Sequence, residues 1–296
     1  MSSSAPFEYQ VADCWEEAVD LLRTWGEEGK VLAGGQSLVP MLNLRLAMPE
    51  ALIDINPIGA AEPALDGDTL VLPALTRHQM LLRSPLVREH CPLLPAGVAH
   101  LGNVRVRARG TIGGSLCHAD PTGEIPSAVL AMGGRITARG PDGERVIAAE
   151  DFFETYLTTA LAEGELLTEV RLPVRGPREG WAFQEKVRRA SDFATVEVAA
   201  TVRLAEDGSV STARVVLGGV ADRPLLLGDE ALAPLLDGGT GTEDELRAVA
   251  RSAADGISPE SDVHASGAYR KRLTEVLTRR TLAEAIDRAR EDGDGT

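Results

Sequence analysis

Two short segments constrain the fold more than anything else in this chain. Ala33-Gly34-Gly35-Gln36-Ser37 and Thr111-Ile112-Gly113-Gly114-Ser115 each join an apolar run to a Gly-Gly pair and then to a small hydroxyl residue. Lacking Cβ atoms, such a backbone turns sharply, lies close to a ligand and aims successive N–H groups at one anion. Ser37 is placed to cap a helix opening at Leu38, with Pro40 in its first turn, which adds a helix N-terminus to the anion site. A single Gly-Gly pair reads most simply as a tight turn. Two of like design in one domain read as a pair of cradles with a pyrophosphate between them.

Other phosphate-binding patterns do not fit. There is no G-x-x-x-x-G-K-[ST], so a P-loop is out, and no G-x-G-x-x-G follows a first strand. Neither H-E-x-x-H nor G-x-S-x-G occurs, and the five histidines are scattered. His118-Ala119-Asp120 has no nucleophile motif beside it and reads as a surface or cofactor-side histidine. Cys14, Cys91 and Cys117 lack metal or iron–sulfur spacing and read as reduced thiols packed as small hydrophobes. With a net charge of -15, the chain is a poor match for nucleic acid or an anionic membrane surface. The polar start of the chain and the lack of an 18-residue apolar run disfavour a signal peptide and a membrane span, so a cytoplasmic location is expected.

A length of 296 residues suits two domains. Aromatics are only 4%, which leaves the core to Leu, Val, Ala and Ile. A helix is predicted after Asp13, which stands three residues before Glu16 as in a capping box, and Thr76 with Gln79 is read the same way. Ser84-Pro85 and Pro126 open further helices, and Gly133-Gly134 stops the latter. Lys30 to Ala33, Leu52 to Ile55 and Thr69 to Leu72 read as strands, as do the runs flanking Pro141-Asp142-Gly143. Arg175 to Gly180 reads as a linker. Two β-rich runs then flank the turn Glu206-Asp207-Gly208-Ser209, and helices open at Thr242 and near Ser266. The reading is α+β in two domains, 1–176 and 177–290, with 291–296 a flexible tail.

These residues also carry a resemblance. Ala33-Gly34-Gly35-Gln36-Ser37-Leu38-Val39-Pro40 resembles the A-G-G-[HQ]-S-L-x-P segment of the FAD-binding subunits of molybdenum hydroxylases. Arg109 to Pro121 is similar to their R-G-T-I-G-G-N-L-x-H-A-D-P motif. Glu165-Leu166-Leu167, Glu185-Lys186-Val187, Ser191-Asp192-Phe193-Ala194 and Asp262 to Arg270 also match, so the resemblance runs along almost the whole chain. It takes in the medium subunit of carbon monoxide dehydrogenase and the FAD portion of xanthine dehydrogenase. It implies an N-terminal FAD-binding domain of the vanillyl-alcohol-oxidase (PCMH) type. It also implies a C-terminal domain of the carbon monoxide dehydrogenase flavoprotein type, a three-stranded antiparallel sheet with helices.

Carried over, Ala33, Gly34, Gly35, Gln36 and Ser37, with Thr111, Gly113, Gly114 and Ser115, are expected to wrap the FAD pyrophosphate, mostly by backbone N–H groups. Glu124, where the family usually has Asp, is expected to accept from the adenosine ribose, with Asp120 a second polar candidate. Leu101 and Leu167 are expected to pack on the cofactor, and Lys186 to approach it and bias the flavin. Ser115 replaces the usual Asn, and Arg105 stands where relatives often have Gln. The resemblance implies molybdopterin and [2Fe-2S] on partner chains, a large and a small subunit. The chain would then pass electrons from FAD to an external acceptor: NAD, a quinone or oxygen. No metal ligand is expected here, and the isoalloxazine carries the chemistry. The alternatives are a stand-alone flavin oxidoreductase of the same fold, and a scaffold whose glycine pairs are only turns.

Overall fold

The computed structural model describes residues 4–294. The chain opens with β1 (Glu8–Val11), α1 (Trp15–Trp25), β2 (Gly29–Leu32), α2 (Leu38–Asn43) and β3 (Ala51–Asp54). The strands pair in parallel, in the order β1-β3-β2. A parallel pair needs a crossover: the segment holding α2 links the paired β2 and β3, and α1 links β1 to β2 on either side of β3. Ala18 and Val19 of α1 bury themselves with Ile53 and Leu75. The expected cap at Asp13 is displaced by one residue. Cys14 holds the N-cap position without a side-chain bond, and the Asp13 N–H donates to the Glu17 carboxylate at 2.9 Å.

After β4 (Ala64–Asp66) and β5 (Thr69–Pro73) come short helices. They are α3 (His78–Arg83), α4 (Pro85–His90), α5 (Leu93–His100), α6 (Val104–Arg109), α7 (Ile112–His118) and α8 (Glu124–Ala131). Then follow β6 (Arg135–Gly140), β7 (Gly143–Ala148), α9 (Ala149–Phe152), β8 (Phe153–Thr155), β9 (Thr158–Thr159) and β10 (Leu166–Pro173). An antiparallel sheet forms in the order β4-β5-β10-β6-β7. Leu70, Leu72, Ile136 and Val170 bury one face of it with Leu94, Ile112 and Ile125 of the helices. Each such side chain contributes about 1.5–3 kcal/mol by leaving water. Ser84 caps α4 as expected, its hydroxyl accepting from the Val87 N–H. Thr76 does not cap α3. Its buried hydroxyl donates to the Ala61 carbonyl, and Arg77 takes the N-cap position.

The last third holds β11 (Glu179–Lys186), β12 (Val196–Leu204), β13 (Val210–Gly218), β14 (Leu225–Leu226), α10 (Asp229–Leu236), α11 (Glu243–Asp255) and α12 (Gly267–Asp294). Three long antiparallel strands make the sheet, with β14 a two-residue edge. Its alternate residues serve different cores. Phe183, Ala199 and Val216 join the N-terminal core, while Ala182, Val198, Ala200 and Leu217 face α12 with Leu282 and Ile286. The expected linker is shorter than its sequence suggested, because Glu179 and Gly180 already pair in β11. At Gly180 a Cβ would lie 1.8 Å from the Ala285 carbonyl oxygen, so α12 rests directly on the strand backbone. The expected tail is helical as far as Asp294, and the Asp292 carboxylate accepts from Arg175 Nη1 at 2.8 Å and from the Arg178 N–H at 2.9 Å. Residues 295 and 296 lie outside the described residues.

Candidate functional site

The first glycine segment leaves the end of β2 as a tight turn. Asn56, just after β3, holds it open from behind: its Nδ2 donates to the Ala33 carbonyl at 2.8 Å and to Asp54 Oδ1 at 2.6 Å. Asp54 also accepts from the Tyr9 hydroxyl. Burial would raise the Asp54 carboxyl, but the bonds from Tyr9 and Asn56 outweigh it and hold the group below its usual range. Gly35 sits at φ +71, a conformation that other residues adopt only under strain. Gln36 folds back, its Nε2 donating to the Gly34 carbonyl at 3.0 Å. Ser37 takes the N-cap position of α2, yet its hydroxyl makes no capping bond, contrary to the sequence expectation.

The second segment is anchored on another element. The Ile112 N–H donates to the Thr76 carbonyl at 3.1 Å and the Gly113 N–H to the Ala74 carbonyl at 2.9 Å. Thr111 caps α7, its hydroxyl accepting from the Gly114 N–H at 3.1 Å. Its donors are therefore mostly engaged within the fold. Among the described residues, the backbone N–H groups of Gly35, Gln36 and Ser37 have no acceptor. Anion-binding capacity is thus concentrated in the first segment, which sequence symmetry did not suggest.

The two segments touch. A Cβ on Gly34 would lie 2.5 Å from the Arg109 carbonyl oxygen and 2.8 Å from the Gly110 Cα. Arg77 ties them together, with Nη1 on that same Arg109 carbonyl at 2.5 Å and Nη2 on Asn56 Oδ1 at 2.7 Å. His78 lies beneath. Its Nε2 is 2.9 Å from the Thr111 carbonyl oxygen and 3.1 Å from Ser115 Oγ. A carbonyl only accepts, so Nε2 carries the proton. Burial pushes His78 down to about 4, which keeps the ring neutral. Ser115 therefore faces an imidazole. Asn56, Arg77 and His78 are invisible to motif reading because each acts on backbone atoms distant in sequence.

The remaining candidates lie along the joint with the C-terminal sheet. Leu101 caps the end of α5, and its carbonyl accepts from Arg107 Nη1 at 2.9 Å. Asp120 shapes the turn before α8 by accepting from the Thr122 N–H and hydroxyl at 2.8 and 2.7 Å. Glu124 opens α8 and is buried, which pushes its carboxyl up to about 7. Leu167 is buried in the core beside a register shift in β10, so its side chain forms wall rather than surface. Lys186 closes β11 and is exposed, and its carbonyl accepts from the Thr195 N–H at 2.7 Å. The structure thus joins the glycine segments in direct contact and sets Asp120 and Glu124 in one stretch. Lys186 stands apart on the other lobe's sheet. Cys14, Cys91 and Cys117 are all free thiols, and only Cys91 is buried as a residue.

Comparison with known proteins places the chain in a family. Residues 5–175 match the family described as the FAD binding domain in molybdopterin dehydrogenase, and residues 181–285 the CO dehydrogenase flavoprotein C-terminal domain. The chain is 39% identical over 286 residues to the 6-hydroxypseudooxynicotine dehydrogenase complex subunit alpha of Paenarthrobacter nicotinovorans, covering 96% of each chain. To the nicotine 6-hydroxylase medium subunit of the same organism it is 35% identical, over 91% of this chain and 94% of that one. Among solved structures, a chain of carbon monoxide dehydrogenase from Hydrogenophaga pseudoflava superposes with a TM-score of 0.93 at 35% identity, covering 96% of this chain and 99% of that one. No helix among the described residues is long and apolar enough to cross a membrane.

Proposed function

The chain belongs to the FAD-binding medium subunits of the molybdenum hydroxylase family, and on that premise we propose that it draws electrons from a small [2Fe-2S] partner subunit and delivers them through FAD to NAD, a quinone or oxygen. On this reading a large molybdopterin-bearing partner oxidises the substrate, and this chain never meets it. Bound FAD supplies the exchange between single electrons and electron pairs. The protein's own residues bind, orient and shield it.

The observation that carries the reading is the contact between the glycine segments, with backbone donors of the first left without an acceptor among the described residues. Those of Gly35, Gln36 and Ser37 suit a diphosphate, and Gly35 lets the backbone approach it. Thr111, Gly113, Gly114 and Ser115 form the opposing wall, and Ala33 and Gly34 the floor. Asp120 and Glu124 are assigned to the adenosine hydroxyls, Leu101 and Leu167 to apolar contact, and Lys186 to the flavin, where a cation favours the electron-rich form. Residues 1–176 hold the cofactor on this reading, and residues 177–290 present Lys186 and support the joint. Leu44, Leu46 and Met48 are exposed just beyond the first segment, which supports a face covered by a partner chain.

Visible absorbance of the purified protein, with FAD added back where needed, tests the reading. Flavin bands are expected, and Gly35→Asp and Gly114→Asp are each expected to abolish them by setting a carboxylate against the diphosphate. A colourless chain that takes up no FAD overturns the reading. A flavoprotein isolated alone with full turnover favours the stand-alone oxidoreductase instead.

A further inference from the structure

The joint between the N-terminal helices and the C-terminal sheet buries a pair of carboxyl groups that have no task so far. Glu185 on β11 and Glu197 on β12 are direct cross-strand partners. Their Cβ atoms therefore stand about 4.5–5.5 Å apart on one face of the sheet. It is the face that sends Phe183 and Ala199 into the N-terminal core. Glu197 is 0% exposed. Its Oε1 accepts from the Ser127 hydroxyl at 2.5 Å, and its Oε2 has no partner. The Glu185 side chain is 5% exposed, with Oε1 3.2 Å from His100 Nδ1 and Oε2 also without a partner.

The titratable groups around the pair are Glu124 on α8, Asp120 in the turn before it and His100 at the end of α5. From β13 comes only Gly218, whose missing Cβ makes room for the Glu197 side chain. Helix α12 covers the opposite face. If Glu124, Glu185 and Glu197 were all ionised, one half-exposed imidazole would face three buried negative charges, and two buried oxygens would lack a donor. Neither condition is stable in a fold. One proton answers both: held at Glu197 Oε2 it removes one of the three charges, and offered to Glu185 Oε2 it would give both orphaned oxygens a partner while Glu185 Oε1 keeps His100.

We propose that Glu185 and Glu197 share a single proton between their otherwise unpartnered Oε2 atoms, and that it holds the C-terminal sheet against the Asp120–Glu124 segment in the form that binds FAD. The second half rests on the reading that this chain holds FAD. Burial, and next the charge of Glu124, hold the Glu197 carboxyl well above the usual range, in keeping with a proton retained at neutral pH. Loss of that proton sets two bare carboxylates side by side, with Glu124 close by. The segment is then pushed away from the sheet, and FAD is held less tightly.

Infrared difference spectroscopy of the full chain without FAD tests the proton directly. Wild type at pH 7 is expected to show a protonated-carboxyl carbonyl band that loses intensity in Glu197→Gln. Glu185→Gln is expected to lose it too, because the amide then donates to Glu197 and favours its ionised form. An isolated buried acid at Glu197 would keep the band in Glu185→Gln, and that result overturns sharing. For the link to FAD, fluorescence titration is expected to give a Kd about tenfold weaker at pH 9 than at pH 7 in wild type, and about threefold or less in Glu197→Gln. Parallel pH profiles in the two proteins overturn the link while leaving the flavin reading intact. A chain that binds no FAD at any pH, yet keeps the band, overturns the flavin reading instead.

Discussion

Gly34 has room for a hydrogen atom and nothing larger, because its Cα meets the backbone of Arg109 and Gly110. That neighbour is backbone, so it cannot rotate away. Gly34→Ala is expected to cost roughly 1–3 kcal/mol and to part the two segments. Thermal melting will read the first effect and FAD titration the second, and a variant that melts and binds like wild type would falsify the assignment. Arg77 is a fork spanning Asn56 and the Arg109 carbonyl. A lysine keeps the charge but not the two directed bonds. Arg77→Lys is therefore expected to weaken FAD about tenfold with the fold retained, and an unchanged Kd would show that the strap is dispensable. The glycines were legible in the sequence because few other residues tolerate such close approach. Asn56, Arg77 and His78 were not, because each also holds a backbone carbonyl oxygen distant in sequence, and such a partner leaves no signature in residue identity.

At the scale of elements, local chemistry was readable where both partners lie within one turn. Thr242 and Glu245 form the capping box of α11, with the Thr242 hydroxyl accepting from the Glu245 N–H and the Glu245 carboxylate accepting from the Thr242 N–H. Thr242→Ala is expected to cost about 1 kcal/mol in thermal melting and to leave FAD binding unchanged. Thr76, with the same spacing to Gln79, failed as a cap because its hydroxyl serves the Ala61 carbonyl and the chain turns into α3 one residue later. Tertiary packing decided that case. The stretch Asp262 to Arg270 stood out in sequence without a role, and the fold supplies one. Arg270 donates to the carbonyls of Thr195 and Gly219 and pairs with Asp262 at 2.7 Å, fixing the ends of β12 and β13. The Gly219 N–H in turn donates to the Pro121 carbonyl at 2.8 Å, beside Asp120. Arg270→Met leaves those acceptors unpaired, so a loss of about 2–4 kcal/mol is expected in chemical denaturation. A loss under 0.5 kcal/mol would mean that the clamp is idle.

For the whole molecule, buried titratable groups set opposing limits on pH. His78 is lowered from 6.5 to about 4, so the unfolded chain takes a proton that the folded one refuses. Stability is therefore lost as pH falls from 6.5 towards 4, by about 3 kcal/mol over that span. Glu124 is raised from 4.5 to about 7, so its contribution is full below 4.5 and is lost as pH rises through 7. Glu197 and His100, both raised, act in the same direction as Glu124. Between about 4.5 and 6.5 the single rising slope of His78 offsets only one of the two falling slopes of Glu124 and Glu197, which predicts a gentle decline in melting temperature there, a steeper fall above 6.5 and a fall below 4.5. Glu197→Gln is expected to flatten the alkaline side only, and an equally steep alkaline fall in that variant would count against the carboxyl joint. Two-lobed α+β architecture was legible in the alternation of strand and helix patterns. The joint was not, since it depends on the strand register that sets Glu185 opposite Glu197, which residue identity alone does not give. The helical end of the chain was also misread, because Asp292 finds its partners 117 and 114 residues upstream, at Arg175 and Arg178. Those arginines leave the ribosome long before the aspartate that receives them. During synthesis the first lobe can complete its own sheet early, but the clasp between lobes closes only when translation has delivered the final helix.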